Sequence, residues 1–237
     1  KRTGRLLAVY QQSRFAPYYR KVNDVLLSGV LGPIRMVKIA FNGFARRYDW
    51  QTLQSYNAGN LYNTGPHPLD QALGFIGRDV MPDVWCRMDL VNAQGDAEDF
   101  CKVLLSYPGR PVIDLEICSN NHFNPFTYQV YGTYGSLAGT QTQLDWKYYL
   151  PEEAPPIRLI KEPLPGPSYC SEKLVFHEEK WTVPEEDKNL FNSMARRFYN
   201  NFYDALTAGT ALAIPPEQVL QQIAVIEECH RQNPMPR

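Results

Sequence analysis

One stretch of the chain gathers side chains that could move a proton: Gly59-Asn60-Leu61-Tyr62-Asn63-Thr64-Gly65-Pro66-His67-Pro68-Leu69-Asp70. An imidazole titrates near neutral pH, so it can take and give a proton within one turnover. The apolar series Leu69, Ala72, Leu73 and Ile76 predicts a helix that begins near Gly65 and ends at Gly77, with His67 in its first turn. The positive end of a helix disfavours imidazolium, which leaves the ring neutral and able to accept a proton. If the turn extends back, Asn63 stands at i−4 and Asp70 at i+3, and either could orient the ring. Taken alone, these residues also fit a structural role. A single His in a first turn often only packs, and an Asp near a helix start often offsets the helix dipole.

His67 and Asn63 are therefore the candidate catalytic residues, and Arg14, Tyr62, Asp70 and Trp50 the candidate substrate-binding ones. Arginine beside aromatic rings can hold a polyol or sugar through hydrogen bonds and stacking. Arg46, Arg47 and Tyr48 lie on the same stretch as Trp50. His122, His177 and His230 show no spacing that would converge on a metal, and no metal is expected.

The elements that must position these residues can be read from periodicity. Leu6–Gln11 reads as a short strand, and Pro17 opens a helix that Gly29 closes. Ile34–Phe44 alternates as a strand, and Arg46 to Asn60 reads as a loop. Val84–Val91, Phe100–Tyr107, Val112–Cys118, Thr127–Tyr134 and Ser136–Gln143 read as further strands. In Pro111–Cys118, Ile113, Leu115 and Ile117 alternate with Asp114 and Glu116, which predicts a sheet with one apolar and one mixed face. Pro151 to Pro167 reads as an extended arm, and Asp187–Leu206 and Pro216–His230 as closing helices. The expected fold is one α+β domain: a large, mostly antiparallel open sheet with helices packed on one face.

Composition narrows the function. The formal net charge is -1 and no Lys/Arg block stands out, so nucleic acid is not an expected partner. No apolar run reaches the length of a membrane span and the start does not read as a signal peptide, so no membrane contact and a cytoplasmic location are expected. The five cysteines form no C-x-x-C pair and are expected to be reduced.

The segment Asn63-x-Gly65-x-His67-x-x-Asp70 resembles the Asp-x-Gly-x-His-x-x-Asp signature of the Gfo/Idh/MocA oxidoreductases, the glucose–fructose oxidoreductase and inositol dehydrogenase relatives. Further resemblances follow in order along the chain. They are Gln11–Pro17 with Ser28–Ile34, Glu98-Asp99-Phe100 through Glu116, the Tyr131–Leu137 hairpin, and Phe202–Leu206 with Pro215–Leu220. The resemblance implies a C-terminal domain like that of glyceraldehyde-3-phosphate dehydrogenase. Residues 1–237 would then form a single substrate-binding and oligomerisation domain. It implies NAD or NADP held by an N-terminal Rossmann domain absent from this chain, with no tight cofactor binding by the chain alone. It also implies a sugar-like substrate, proton transfer by His67, and a homo-oligomer assembled through the sheet. The isolated chain would be inactive. One departure matters: Asn63 stands where the family usually has Asp, and an amide cannot carry the negative charge that would stabilise an imidazolium. That departure supports a second reading, a non-catalytic binding or regulatory module of the same family.

Overall fold

Strands that bury one face alternate apolar and polar residues, and this chain does so repeatedly. A computed structural model of the chain describes residues 4–235. Helix α1 (Pro17–Ser28) leads to β1 (Ile34–Asn42), then a short helix α2 (Asn60–Asn63) and α3 (Pro66–Ile76). Seven strands follow: β2 (Asp83–Asp89), β3 (Phe100–Ser106), β4 (Val112–Cys118), β5 (Tyr128–Gly132), β6 (Gly135–Gly139), β7 (Gln143–Tyr148) and β8 (His177–Thr182). Helices α4 (Leu190–Thr207) and α5 (Pro216–Gln232) close the chain.

The eight strands form one open sheet in the order β2-β3-β4-β1-β5-β6-β7-β8. Only β1 and β4 run parallel, with Ile39 opposite Leu115; the other neighbours are antiparallel. The α+β class and the mostly antiparallel sheet are as the sequence indicates.

One sheet face carries the core. Val37, Ile39, Val103, Leu105, Ile113, Leu115, Val130 and Leu144 pack there with Val22 and Val25 of α1, Leu69, Leu73 and Ile76 of α3, and Val225 and Ile226 of α5. Each such side chain stabilises the fold by roughly 1.5–3 kcal/mol when fully buried. The other face is laced with charge. Lys102 pairs with Asp114 at 2.5 Å and Glu116 at 3.2 Å, and Lys147 with Glu178 at 2.6 Å. Trp85 and its register partner Leu104 are exposed at one end of the sheet.

Two expectations need correction, and one strand has no counterpart among them. Leu6–Gln11 is not a strand: it pairs with no neighbour, and its Tyr10 ring packs on Phe198 of α4 at 4.9 Å. Ser136–Gln143 is a strand only as far as Gly139, where β6 ends; Thr140–Thr142 then turn the chain into β7, which starts at Gln143. The edge strand β8 goes unread, because His177-Glu178-Glu179-Lys180-Trp181-Thr182 lacks apolar alternation. The arm from Pro151 begins with one 3-10 turn, Pro151–Glu153, and has no other regular structure before β8. The loop from Arg46 contains two further 3-10 turns, Trp50–Thr52 and Gln54–Tyr56.

Candidate active site

The turn that carries His67 is built by prolines and glycines. Pro66 and Pro68 have no N–H, so the hydrogen-bond ladder cannot run unbroken through this point. The helix divides there, with α2 ending at Asn63 and α3 starting at Pro66. Gly65 sits where the two meet: a Cβ on it would lie 2.4 Å from the main-chain oxygen of Leu61. Gly59, which precedes α2, has φ +116, and a Cβ there would lie 2.0 Å from the Glu98 carboxylate. Only glycine fits both the conformation and the space at that position.

His67 is the second residue of α3 and is half-buried. Burial pushes its pKa below the ordinary imidazole value, and the nearby Asp70 carboxylate offsets part of that effect. Its Nδ1 is buried and has no hydrogen-bond partner among the described residues. The ring is thus held neutral with one nitrogen unengaged.

Asn63 ends α2, and its amide donates to Gln51 Oε1 at 3.4 Å. Gln51 also accepts from Arg47, whose guanidinium pairs with Asp49 at 2.9 Å. Asn63 therefore belongs to an amide network with the 47–51 loop. No hydrogen bond joins it to His67 among the described residues.

Asp70 is fully buried. Arg14 clamps it with contacts of 2.5 and 3.0 Å, and Arg78 with contacts of 2.9 and 3.2 Å. Arg14 also donates to Ala213 O at 2.9 Å and to Gln218 Oε1 at 2.5 Å. These bonds tie the Gln12–Phe15 turn, α3 and α5 together. Asp70 and Arg14 are consumed in that clamp, and the oxygens of Asp70 are closed to any ligand. Nearby, Gln11 and Gln222 both donate to the main-chain oxygen of Pro66, fixing the start of α3. Tyr62 faces α5, where its ring stacks on His230 at 4.5 Å and 15°. Trp50 is 58% exposed and meets Tyr56 edge-on at 6.0 Å. Of the six residues singled out from sequence, the structure joins Arg14 to Asp70 directly and sets His67 beside them. Asn63, Tyr62 and Trp50 have separate neighbours.

A cavity of about 540 Å³ opens beside the signature turn. Asn60 and Thr64 line it from one side, Asn42 and Phe44 from the end of β1, and Ser119 and Asn124 from beyond β4. None of its lining side chains is charged. Asn42 donates to Glu116 Oε1 at 2.6 Å, and its own Oδ1 has no partner among the described residues. Amides and hydroxyls with a ring at the rim suit a neutral, hydroxyl-bearing ligand. Thr64 lies within the signature, and Asn124 in the Asn-rich run Ser119-Asn120-Asn121-His122-Phe123-Asn124-Pro125; both were visible signals that residue-type reasoning passed over.

Residues 24–233 match the oxidoreductase family, C-terminal alpha/beta domain, of the Gfo/Idh/MocA group. The chain belongs to this family. It is 23% identical over 246 residues to the uncharacterized oxidoreductase C26H5.09c of Schizosaccharomyces pombe, covering 95% of this chain and 64% of that protein. It is 22% identical over 232 residues to the scyllo-inositol 2-dehydrogenase (NADP(+)) IolW of Bacillus subtilis, covering 94% of this chain and 61% of the relative. The solved structure of an oxidoreductase from Bacillus cereus superposes with a TM-score of 0.74 at 18% identity, over 97% of this chain and 66% of that one. The chain thus spans less than two thirds of the length of these relatives.

A nicotinamide dinucleotide finds no fit in the residues described. Such a cofactor needs a Gly-rich turn from a strand into a helix, with the pyrophosphate at the helix start. Among the described residues, no strand of this family member leads into a helix through such a turn. Among the described residues, no helix is long and apolar enough to cross a membrane.

Proposed function

We propose that this chain is the substrate-binding and proton-transfer half of an NAD(P)-dependent oxidoreductase acting on a sugar, cyclitol or related hydroxy compound. The observation that carries this reading is the half-buried His67 in the first turn of α3, whose imidazole burial keeps neutral. Its main-chain N–H donates to the carbonyl of Thr64 at 3.2 Å, and Thr64 is a wall residue of the uncharged amide-and-hydroxyl cavity. A neutral imidazole can accept the proton that a substrate hydroxyl releases as its carbon is oxidised. Asn60, Thr64, Asn42, Ser119 and Asn124 would hold the remaining hydroxyls. Asn63 would steady the turn through Gln51, and Tyr62 and Trp50 would shape its flanks. Arg14 and Asp70 would act from beneath, by fixing α3.

The nicotinamide would be supplied by a Rossmann domain outside these residues, so the isolated chain is expected to be inactive. The charged sheet face, with Trp85 and Leu104 exposed, fits pairing with a second copy. A cytoplasmic setting fits such an enzyme.

The deciding experiment measures dehydrogenase turnover of the full-length protein over a panel of sugars and cyclitols, with NAD and with NADP. Substituting His67→Gln should lower kcat/KM by about 10²–10⁴-fold, the usual worth of a positioned acid–base group. Turnover that survives the substitution would remove His67 from the chemistry.

Asn63 favours a second reading, a binding or regulatory module without turnover, because its amide is held by Gln51 and cannot stabilise an imidazolium. Wild-type turnover would end that reading. Activity that appears only in Asn63→Asp would support it.

A further inference from the structure

Glu98 is 2% exposed, and no part of the proposed chemistry uses it. Its Oε1 accepts the Leu61 N–H at 2.8 Å, and its main-chain oxygen accepts the Asn60 N–H at 2.9 Å. The first two N–H groups of α2 thus end on one residue. The next residue, Asp99, completes the grip: its main-chain oxygen accepts from Asn60 Nδ2 at 2.7 Å. The Asp99 carboxylate turns the other way, to the N–H groups of Val91, Asn92 and Ala93 at 2.7, 2.8 and 2.7 Å. Gly59 lies directly against the Glu98 carboxyl, which leaves no room for a side chain.

We propose that Glu98 is the positioning residue of the signature turn, its carboxyl and carbonyl oxygens fixing the start of α2 and through it the placement of Asn63, Thr64 and His67. This role rests on the proton-transfer reading for its functional meaning and on hydrogen bonds and burial for its existence. A helix of four residues cannot hold its own place. Its first N–H groups have no partners within the helix, so the acceptors outside it set its direction.

Among the described residues, no arginine or lysine pairs with this carboxyl. The titratable groups that act on it or feel its charge are Asp99, the Cys86 and Cys101 thiols on β2 and β3, and Tyr62 on α2. Burial dominates and pushes the Glu98 pKa up to about 7, with the Leu61 N–H holding it lower than burial alone would. Its charge therefore changes in the range where His67 is expected to do its work.

The test is an NMR pH titration of the chain, following the His67 ring and the Leu61 amide in wild type and in Glu98→Gln. Glutamine keeps an oxygen for the Leu61 N–H but does not titrate. In wild type, the Leu61 amide should shift with a midpoint near 7. The His67 ring should show the same inflection in addition to its own, lower one. In Glu98→Gln the upper inflection should vanish from both signals while the lower His67 inflection remains. A group that only packs would leave the His67 titration in a single step, and that result would overturn the proposal. Should Glu98→Gln fail to fold, the wild-type titration decides, since a Leu61 amide and a His67 ring that share no carboxyl inflection also overturn it. The proton-transfer reading stands or falls separately, on turnover of the His67→Gln full-length protein.

Discussion

Asp70 and Glu98 are both buried carboxylates that brace the same turn, one from each end, and their surroundings differ. Asp70 lies between the guanidinium groups of Arg14 and Arg78. Among the described residues, Glu98 meets backbone N–H groups and neighbours that bring no positive charge. A carboxylate between two guanidinium groups is an anchor through charge pairing. A carboxylate held by an N–H alone is an anchor that titrates. The fold thus fixes α3 with a three-residue ion-pair cluster, and the start of α2 with a carboxyl whose pKa burial raises.

The largest effect is expected at the paired end. Asp70→Asn leaves two guanidinium groups facing each other in a buried site. Breaking such a cluster costs about 3–5 kcal/mol, read as a lower urea midpoint. A loss below about 1 kcal/mol would mean the cluster holds little.

The unpaired end should show in the pH dependence. The folded pKa of Glu98, about 7, lies above the ordinary 4.5. The folded state therefore binds the proton more tightly than the unfolded one. That stability is fully present below the unfolded pKa and is lost as pH rises through about 7. A shift of this size is worth up to about 3 kcal/mol. Urea titrations at pH 5 and pH 8 should differ accordingly in wild type, and Glu98→Gln should flatten the difference. A wild-type stability that does not fall over this range contradicts the raised pKa of Glu98.

Between the two ends, Gly65→Ala drives a methyl against the Leu61 backbone. Overpacking of this kind costs about 1–3 kcal/mol, measurable by thermal unfolding. Trp50→Ala should change stability by no more than about 0.5 kcal/mol, since the ring is mostly exposed. A larger loss would show that the loop supports the turn more than its contacts imply.

Much of this arrangement is legible in the sequence, for reasons that differ by residue. The α3 helix and the placement of His67 in its first turn follow from apolar spacing alone. The family follows from an ordered set of motifs, and residues 24–233 match it. Leu6–Gln11 has a strand's composition, but a strand also needs a neighbour to bond, and periodicity does not report one. Strand β8 is formed by hydrogen bonds to β7 at an edge where polar residues are tolerated, so its pattern is silent. The clamp on Asp70 joins residues far apart in sequence: Arg14 reaches α3 from the Gln12–Phe15 turn and extends on to Gln218 of α5. Glu98 is a similar case, because its meeting with Leu61 depends on how β3 enters the sheet. Local spacing cannot carry such contacts; only the folded chain does.

The account turns on His67 being a neutral proton acceptor, and the most direct measurement is the ¹⁵N titration of its ring in the folded chain. Burial predicts a midpoint for the ring's own titration below about 6.5. The imidazole would then be mostly unprotonated at neutral pH and free to take a hydroxyl proton. A midpoint above about 7 would contradict the account, because the ring would already carry the proton it is meant to receive.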